Sequence, residues 1–259
     1  SAPQRAAGRT AVSEGAGEGM SMPSWLDALP RDRLLLDVSL WSADLSALGS
    51  EAARISPYAD LLHIDASDTH FIPEPLFFPD LVRAIRPHTD RPLHVHLMAH
   101  RPAQLAYAFA DAGADLITVH AEATGAADAI RAVHDVGLPA GIALMLDTDP
   151  VDVRGLLAEA DAIVLIGTPL GTKGTTMQPA ALTRITAMRR LLHAEQRQIP
   201  IIADGGIRQD TVASLAAAGA NGVVPGSLLW TSRDLPGTAA WIRTHQPMPP
   251  ESPERQTPR

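Results

Sequence analysis

The stretch GADLITVHAEATGAADAIRAVHDVGLPAGIAL (residues 113–144) contains two short apolar runs separated by a segment with helical spacing. The runs Leu116–His120 and Ala140–Leu144 have the length of buried strands. The segment Ala126–Val136 between them is rich in helix-forming residues. A glycine before the first run suits the left-handed end of a preceding helix. The stretch therefore predicts one strand–helix–strand unit.

The same alternation extends in both directions along the chain. Gly219-Ala220-Asn221 repeats the pattern of Gly113-Ala114-Asp115, which ends one helix and opens the next strand. Eight strands alternating with helices predict a parallel sheet, and eight such units can close it into a (β/α)₈ TIM barrel. The other predicted strands are Leu34–Ser39, Leu61–Asp65, Leu93–Met98, Ala162–Ile166, Ile199–Ala203 and Gly222–Val224, and the other predicted helices include Pro102–Ala112, Ala180–Gln196 and Gln209–Ala218.

A doubly wound open sheet is the alternative arrangement of these elements. The glycine-rich dinucleotide-binding sequence of that fold does not follow the first strand, where Ser39-Leu40-Trp41-Ser42 stands instead. We therefore predict an α/β barrel that forms a single domain over residues 31–245. Residues 1–30 are rich in Ala, Gly, Ser and Glu, and residues 246–259 are Pro-rich and polar. We interpret both segments as flexible tails.

The composition limits the class of protein. A chain of 259 residues with 46% hydrophobic content can bury a full-sized core. The net charge of −8 argues against nucleic-acid or membrane-surface partners, which require a basic face. The absence of cysteine excludes disulfides, thiolate metal sites and cysteine nucleophiles. The sequence has no apolar run of membrane-spanning length and no signal-peptide pattern, so we expect a cytoplasmic protein.

Acidic residues and histidines stand at the ends of three predicted strands. His63 and Asp65 end the second strand, His96 lies in the third, and Asp204 follows the seventh. The catalytic groups of a barrel lie at the C-terminal ends of its strands, and residues two apart share a face. Two imidazoles and two carboxylates predict a site for one divalent ion: Zn²⁺, Mn²⁺, Fe²⁺ or Co²⁺. Further candidate ligands are His70, His94, His100 and His120.

Glycine-rich turns follow the last three predicted strands. GTPLGTKGTT (residues 167–176) follows the sixth strand, Gly205-Gly206-Ile207 the seventh and Gly226-Ser227 the eighth. Backbone N–H groups in such turns bind phosphate near the seventh and eighth strands of this fold. Each turn by itself is best interpreted as an ordinary turn, but together the three predict a phosphate site.

Ordered motifs at five strand ends resemble the ribulose-phosphate 3-epimerase family. SLWSAD (residues 39–44) is similar to the family's S-I-L-S-A-D, and HIDASDTHFIP (residues 63–73) is similar to its H-I-D-V-M-D-G-H-F-V-P. VHLM (residues 95–98), TVH (residues 118–120) and DGGI (residues 204–207) match family motifs letter for letter. The resemblance covers roughly residues 34–229.

The resemblance implies an isomerase that inverts the carbon next to the ketone of a ketose phosphate, such as ribulose 5-phosphate or xylulose 5-phosphate. Asp65 and Asp204 would move the proton on opposite faces of that carbon, and a divalent metal would stabilise the enediolate. His63 and His96 would complete the metal ligands, which leaves His94 and His100 outside the set. We also expect a homo-oligomer. The candidate substrate- and phosphate-binding residues are Ser39, Met98, Gly171, Thr172, Lys173, Gly174, Gly205, Gly206, Gly226 and Ser227.

The chain departs from the family pattern beside these residues. Ser67 stands where a Met is usual, Thr69 replaces a Gly, Glu74 replaces an Asn, and Phe78 stands near a usual Gly. The loop PLGTKGT (residues 169–175) replaces N-P-G-F-G-G-Q, and we interpret it as one residue shorter. These differences leave the predicted metal and proton-transfer residues unchanged. They predict an altered choice of ketose phosphate, and the alternative is neutral drift in an ordinary pentose-phosphate enzyme.

Two other functions remain as alternatives. A sugar-phosphate lyase or decarboxylase of the wider ribulose-phosphate-binding barrels would be expected to carry a D-x-K-x-x-D motif on the third strand. That strand reads HVHLMA (residues 94–99) and has no lysine. A non-catalytic sugar-phosphate-binding protein would be expected to have lost one of the two aspartates, and both are present.

Overall fold

The computed structural model describes residues 24–248, and within them eight parallel strands form a closed barrel. Each strand pairs with the next, and the last pairs with the first. The predicted barrel is therefore confirmed, and the open sheet is excluded. The strands are β1 (Leu35–Ser39), β2 (Leu61–Ser67), β3 (Leu93–Met98), β4 (Leu116–His120), β5 (Ala140–Leu144), β6 (Ala162–Ile166), β7 (Ile201–Asp204) and β8 (Gly222–Val224).

Helices connect successive strands on the outside of the barrel. One short helix precedes the first strand, and two follow the last. Within residues 24–248 no helix has the length and apolar content needed to cross a membrane. The helices are α1 (Ser24–Asp27), α2 (Leu48–Ile55), α3 (Pro79–Ile85), α4 (Pro102–Ala112), α5 (Ala126–Asp135), α6 (Arg154–Leu157), α7 (Ala180–Ala194), α8 (Val212–Ala218), α9 (Ser227–Trp230) and α10 (Leu235–Arg243).

The predicted element bounds differ from the structure mainly at ends set by local chemistry. Strand β7 begins at Ile201, two residues later than predicted, because Pro200 has no N–H to add to the ladder. Helix α7 ends at Ala194, and Gln196 just beyond it adopts a left-handed φ of 54°. Helix α8 begins at Val212 rather than Gln209, because Arg208 N donates to Thr211 Oγ1 in a turn before the helix.

The described part of the predicted N-terminal tail is ordered. Helix α1 lies within residues 1–30, and Trp25 and Leu29 pack against a buried cluster at the N-terminal end of the barrel. That cluster consists of Leu61, Leu116 and Ala162. At the other end of the chain, Met248 N donates to Ala216 O. The remainder of both predicted tails, residues 1–23 and 249–259, lies outside the described residues.

The barrel interior changes from apolar to polar along the strands. Apolar side chains close its N-terminal end, and Leu61, His63 and Asp65 then alternate along β2 towards the C-terminal mouth. A TIM-barrel interior is ordinarily filled by branched apolar residues. The fully buried side chains of Asp37, His94 and Thr118 occupy part of this interior. The strands therefore form a polar layer directly beneath the mouth.

Candidate active site

The four predicted metal ligands converge at the C-terminal mouth of the barrel. Strand pairing places Asp65 on β2 beside His96 on β3. His63 Nε2 lies 3.3 Å from Asp65 Oδ1 and 3.8 Å from Asp204 Oδ2. His96 Nδ1 lies 3.3 Å from Asp65 Oδ1 and 3.7 Å from Asp204 Oδ2. One donor atom from each residue lies within 4.8 Å of the other three.

This donor set fits a divalent metal ion. Ligands held about 2 Å from a tetrahedral ion lie roughly 3.3 Å from one another, close to the separations found here. His63 Nε2 is buried, and no hydrogen-bond partner for it lies within residues 24–248. A buried polar atom without a partner is rare in a folded protein. Two imidazole nitrogens with two carboxylates suit Zn²⁺, Mn²⁺, Fe²⁺ and Co²⁺.

Burial and neighbouring charges separate the pKa values of the two aspartates. Burial raises the pKa of Asp204 to about 6; the charge of His63 opposes this rise, and that of Asp65 adds to it. Burial also favours the neutral form of Asp65, but His63 and His96 hold its pKa well below its ordinary range. One carboxyl group therefore binds a proton more readily than the other, which suits an acid and base pair.

A chain of hydrogen bonds fixes the ring of His96. His96 Nε2 lies 2.9 Å from His120 Nε2, and His120 Nδ1 lies 3.1 Å from Glu122 Oε2. Burial lowers the pKa of His120 to about 4, so this ring is neutral at pH 7. Because the Glu122 carboxylate can only accept, His120 Nδ1 donates to it and His120 Nε2 accepts from His96. This hydrogen bond fixes the ring with His96 Nδ1 facing the aspartates.

The mouth opens into a cavity of about 420 Å³, which is large enough for a small phosphorylated sugar. Asp65, His96 and Asp204 line it, while His63 lies beneath its surface. Ser39 Oγ donates to Asp65 Oδ2 over 3.2 Å. The structure brings every predicted substrate- and phosphate-binding residue to this cavity: Ser39, Met98, Gly171, Thr172, Lys173, Gly174, Gly205, Gly206, Gly226 and Ser227.

The turn after β7 requires glycine and supports the loop after β6. Gly205 and Gly206 have φ values of 94° and 71°, in the left-handed region. A Cβ on Gly206 would lie 2.6 Å from Met177 N, so the two backbones are in direct contact. Arg208 Nη2 donates to Gly174 O over 2.7 Å and links the same two loops. Together they form one wall of the cavity.

Lys173 connects the loop after β6 to the opposite rim. Its ammonium group donates to Trp41 O and lies 4.4 Å from the centre of the Trp41 ring. Burial lowers its pKa. The sequence suggested a contact from this lysine to the phosphate, but in the structure the ammonium is held at the turn after β1.

Three residues that depart from the family pattern at the end of β2 and in the loop after it were expected to line the cavity, but they do not. Ser67 Oγ accepts from Thr69 N over 3.0 Å, and Thr69 has a left-handed φ of 60°. Phe78 is 56% exposed. Ser67, Thr69 and Phe78 are absent from the described lining of the cavity. The Ser67 hydroxyl is therefore turned into its own loop. Among the departures, the loop at residues 169–175 lines the cavity, and Glu74 lies against Gly171 of that loop.

The sequence interpretation missed several residues of this site. Trp41, Thr168 and Arg208 line the cavity. Glu122 and Asp37 contact histidines of the site without lining it. Asp37 had a detectable signal, because it is the one acidic residue in the otherwise apolar run LLLDV (residues 34–38).

Comparison with protein families gives a match over residues 35–230 to the family described as "Ribulose-phosphate 3 epimerase family". The ribulose-phosphate 3-epimerase of Bacillus subtilis is 34% identical over 208 residues, which cover 79% of this chain and 96% of that protein. The enzyme of the same name from Mycobacterium tuberculosis is 33% identical over 213 residues, covering 81% and 91%. These similarities span the whole barrel.

Solved structures share the fold at lower identity. The 3-hexulose-6-phosphate synthase of Salmonella typhimurium superposes with a TM-score of 0.58 at 22% identity, covering 81% of this chain and 96% of that one. Orotidine 5'-phosphate decarboxylase of Pyrococcus horikoshii gives a TM-score of 0.56 at 17% identity, covering 80% and 97%. Similarity to structures at this low identity supports the barrel fold alone. The family match and the relatives at 33–34% identity also show which family the chain belongs to. This chain belongs to the ribulose-phosphate 3-epimerase family.

Proposed function

We propose that this chain is a metal-dependent epimerase that inverts the carbon next to the ketone of ribulose 5-phosphate, xylulose 5-phosphate or a related ketose phosphate. The observation that carries the proposal is the pair Asp65 and Asp204, which meet at one mouth from strands that are not neighbours. Family membership supports an epimerase acting on a pentose phosphate. Inversion by proton transfer needs one proton carrier on each face of the carbon, and two such strands can supply them.

The charge states of the two aspartates suit their roles. Asp65, whose pKa is lowered, is ionised and accepts the proton from one face of the substrate carbon. Asp204, whose pKa is raised to about 6, holds a proton more readily and returns one to the other face. The roles exchange in the reverse reaction. Ser39 Oγ, which donates to Asp65 Oδ2, keeps that carboxylate oriented.

His63 and His96 would hold a divalent metal together with the aspartates. When bound, such an ion supplies Lewis-acid stabilisation of the negative charge that develops as the proton leaves. Zn²⁺, Mn²⁺, Fe²⁺ and Co²⁺ all suit two imidazole and two carboxylate ligands. The protein's own part is to fix both rings so that His63 Nε2 and His96 Nδ1 face the aspartates.

The substrate phosphate would bind at the glycine turns. Backbone N–H groups of Gly205, Gly206, Gly226 and Ser227 lie at one side of the cavity, and exposed backbone donors of this kind bind phosphate well. With the phosphate there, the ketone end extends towards Asp65. A cytoplasmic location and a homo-oligomer remain predictions.

The structure bears on the choice of sugar through the position of the unusual residues. Ser67, Thr69 and Phe78 are outside the described cavity lining, which favours an ordinary pentose phosphate. Lys173 and Thr172 line the cavity and differ from the family's loop, so any altered specificity would come from these two residues. Comparing kcat/KM for ribulose 5-phosphate with that for six-carbon ketose phosphates measures which of these sugars the enzyme prefers. A value at least tenfold higher for ribulose 5-phosphate would exclude altered specificity.

The proposal is tested by assaying metal-stripped and metal-reloaded protein for conversion of ribulose 5-phosphate to xylulose 5-phosphate. We expect turnover only after reloading, and a loss of roughly 10²-fold or more in Asp65→Asn and Asp204→Asn. The matched control is Asp210→Asn, an exposed aspartate in the segment between β7 and α8 that is outside the described cavity lining. Because both catalytic variants also alter a ligand, their metal content is measured alongside. Full turnover without metal, or in Asp204→Asn with metal retained, would contradict the proposal.

A further inference from the structure

Asp37 is a carboxylate inside the barrel, one layer beneath the metal site. Its side chain is 0% exposed, and Oδ2 lies 2.9 Å from His63 Nδ1 and 2.6 Å from His94 Nδ1. Its other oxygen has no hydrogen-bond partner among the described residues. A carboxylate in such a place is retained only when its neighbours stabilise the charge. The two imidazoles are therefore its principal partners.

The hydrogen bonds define which nitrogen of each ring carries a proton. An ionised carboxylate accepts and does not donate, so both Nδ1 atoms donate to Asp37. His63 Nε2 is then the ring nitrogen left for the ion, and it lies 3.3 Å from Asp65 Oδ1. The other ring nitrogen of His94, Nε2, lies 2.7 Å from Thr118 Oγ1. Both contacts of His94 are thus accounted for.

Strand β5 leaves space for the Thr118 side chain of this network. A Cβ on Gly141 of β5 would overlap Thr118 Oγ1, so the glycine leaves the space that the threonine side chain occupies. Thr118 orients His94, and His94 donates to the same oxygen of Asp37 as His63 does, with the two rings packed edge to face. This arrangement parallels the chain from Glu122 through His120 to His96, with one difference. Asp37 contacts the candidate ligand His63 directly, without a second imidazole between them.

We propose that Asp37 is a positioning residue for the metal site, which holds the His63 ring by accepting from Nδ1 and thereby presents Nε2 to the ion. The proposal rests on the proposed function, since it presumes that His63 is a ligand. It also assigns a part to His94, which donates to the same oxygen of Asp37 and helps to hold the carboxylate in place. Carboxylate partners of this kind orient ligand histidines and raise their basicity.

Asp37, His63 and His94 also satisfy the geometric conditions for holding an ion themselves. Hydrogen bonds explain the cluster better, because both Nδ1 atoms lie at hydrogen-bonding distance from one oxygen of Asp37. All three side chains are 0% exposed and lie one layer beneath the cavity. Metal stoichiometry separates the two interpretations.

The experiment compares metal affinity in the full chain and two variants. Metal-stripped wild type, Asp37→Asn and Asp60→Asn are titrated with Zn²⁺ in competition with a chelator of known affinity, and thermal melts are recorded in parallel. Asparagine keeps the shape but loses the charge, so we expect about 10- to 100-fold weaker Zn²⁺ binding in Asp37→Asn. Asp60→Asn is the matched control, because it removes the charge of another buried carboxylate, which pairs with Arg33 and lies outside the network around His63. Its Zn²⁺ affinity should change by less than about threefold while its melting temperature falls.

Unchanged affinity in Asp37→Asn, or an equal loss in both variants, would overturn the proposal and leave the network a structural role only. Two ions per wild-type chain and one in Asp37→Asn would make Asp37 a ligand and would also overturn it. If the wild type binds no metal, the proposed function fails and this inference with it. Should Asp37→Asn not fold, NMR of Zn²⁺-loaded wild type with ¹⁵N-labelled histidine decides. The proposal expects a His63 proton on Nδ1, and a proton on Nε2 would overturn it.

Discussion

Replacing Asp204 by Asn should stabilise the barrel when no metal is bound. Asp204 lies in a cluster that already contains the Asp65 carboxylate, and burial raises its pKa to about 6 from an ordinary value of 3.8. The folded protein therefore opposes ionisation of this group, whereas the unfolded chain does not. Asparagine has nearly the same shape and carries no charge. The site thus retains a destabilising group for its function.

The size of the effect follows from the two pKa values. Each pH unit between them corresponds to about 1.4 kcal/mol, so ionised Asp204 destabilises the folded state by about 3 kcal/mol. Above pH 6 the group is ionised in both states, and the full destabilisation is present. As the pH falls from 6 towards 3.8 the folded state takes up the proton first, and the destabilisation disappears. The side chain is only 19% exposed, so screening by solvent is small.

The assay is urea unfolding of metal-stripped wild type and Asp204→Asn at pH 8, pH 5 and pH 4. We expect the variant to be more stable by about 3 kcal/mol at pH 8, by about half as much at pH 5, and by little at pH 4. Saturating Zn²⁺ should reverse the order, because it binds the folded wild type more tightly than the variant. A metal-free variant less stable than the wild type at pH 8, or a gain independent of pH, would refute this account of Asp204.

Three further substitutions test other parts of the site. Glu122→Gln should weaken Zn²⁺ binding by about 10-fold or more, because the hydrogen-bonded chain from Glu122 through His120 to His96 loses its carboxylate. Unchanged affinity in a chelator competition would contradict a role for this chain in metal binding. Thr69→Gly should raise the free energy of unfolding by up to about 1 kcal/mol, because a β-branched residue is strained at a φ of 60°; a loss of stability on urea unfolding would argue against strain. Gly206→Ala should raise KM for the ketose phosphate and destabilise the protein by more than about 1 kcal/mol, because its Cβ would meet Met177 N at 2.6 Å; normal kinetics would show that the two loops can separate at little cost.

The sequence predicted the barrel because its strands are continuous apolar runs at regular intervals. Strand β3, Leu93–Met98, has the predicted bounds, and so do β4, β5, β6 and β8. The convergence of His63, Asp65, His96 and Asp204 could also be predicted, since parallel strands bring their C-terminal ends to one mouth.

The missed features depend on side-chain direction and contacts rather than on pattern. Nothing in the sequence shows that the Ser67 hydroxyl turns into its own loop, or that Lys173 reaches the carbonyl of Trp41. The part played by His94 depends on Asp37, a residue from another strand. Such pairings become visible only when the strand register is known.

We propose that Asp65 and Asp204 exchange protons with solvent while they invert the carbon next to the ketone. The most direct test incubates metal-loaded protein with ribulose 5-phosphate in D₂O and analyses the product by NMR and mass spectrometry. The account predicts xylulose 5-phosphate with one deuterium at the inverted carbon. Inverted product that keeps the substrate's own hydrogen would contradict two-carboxylate proton transfer, and cleavage of a carbon–carbon bond without inversion would point to the lyase alternative.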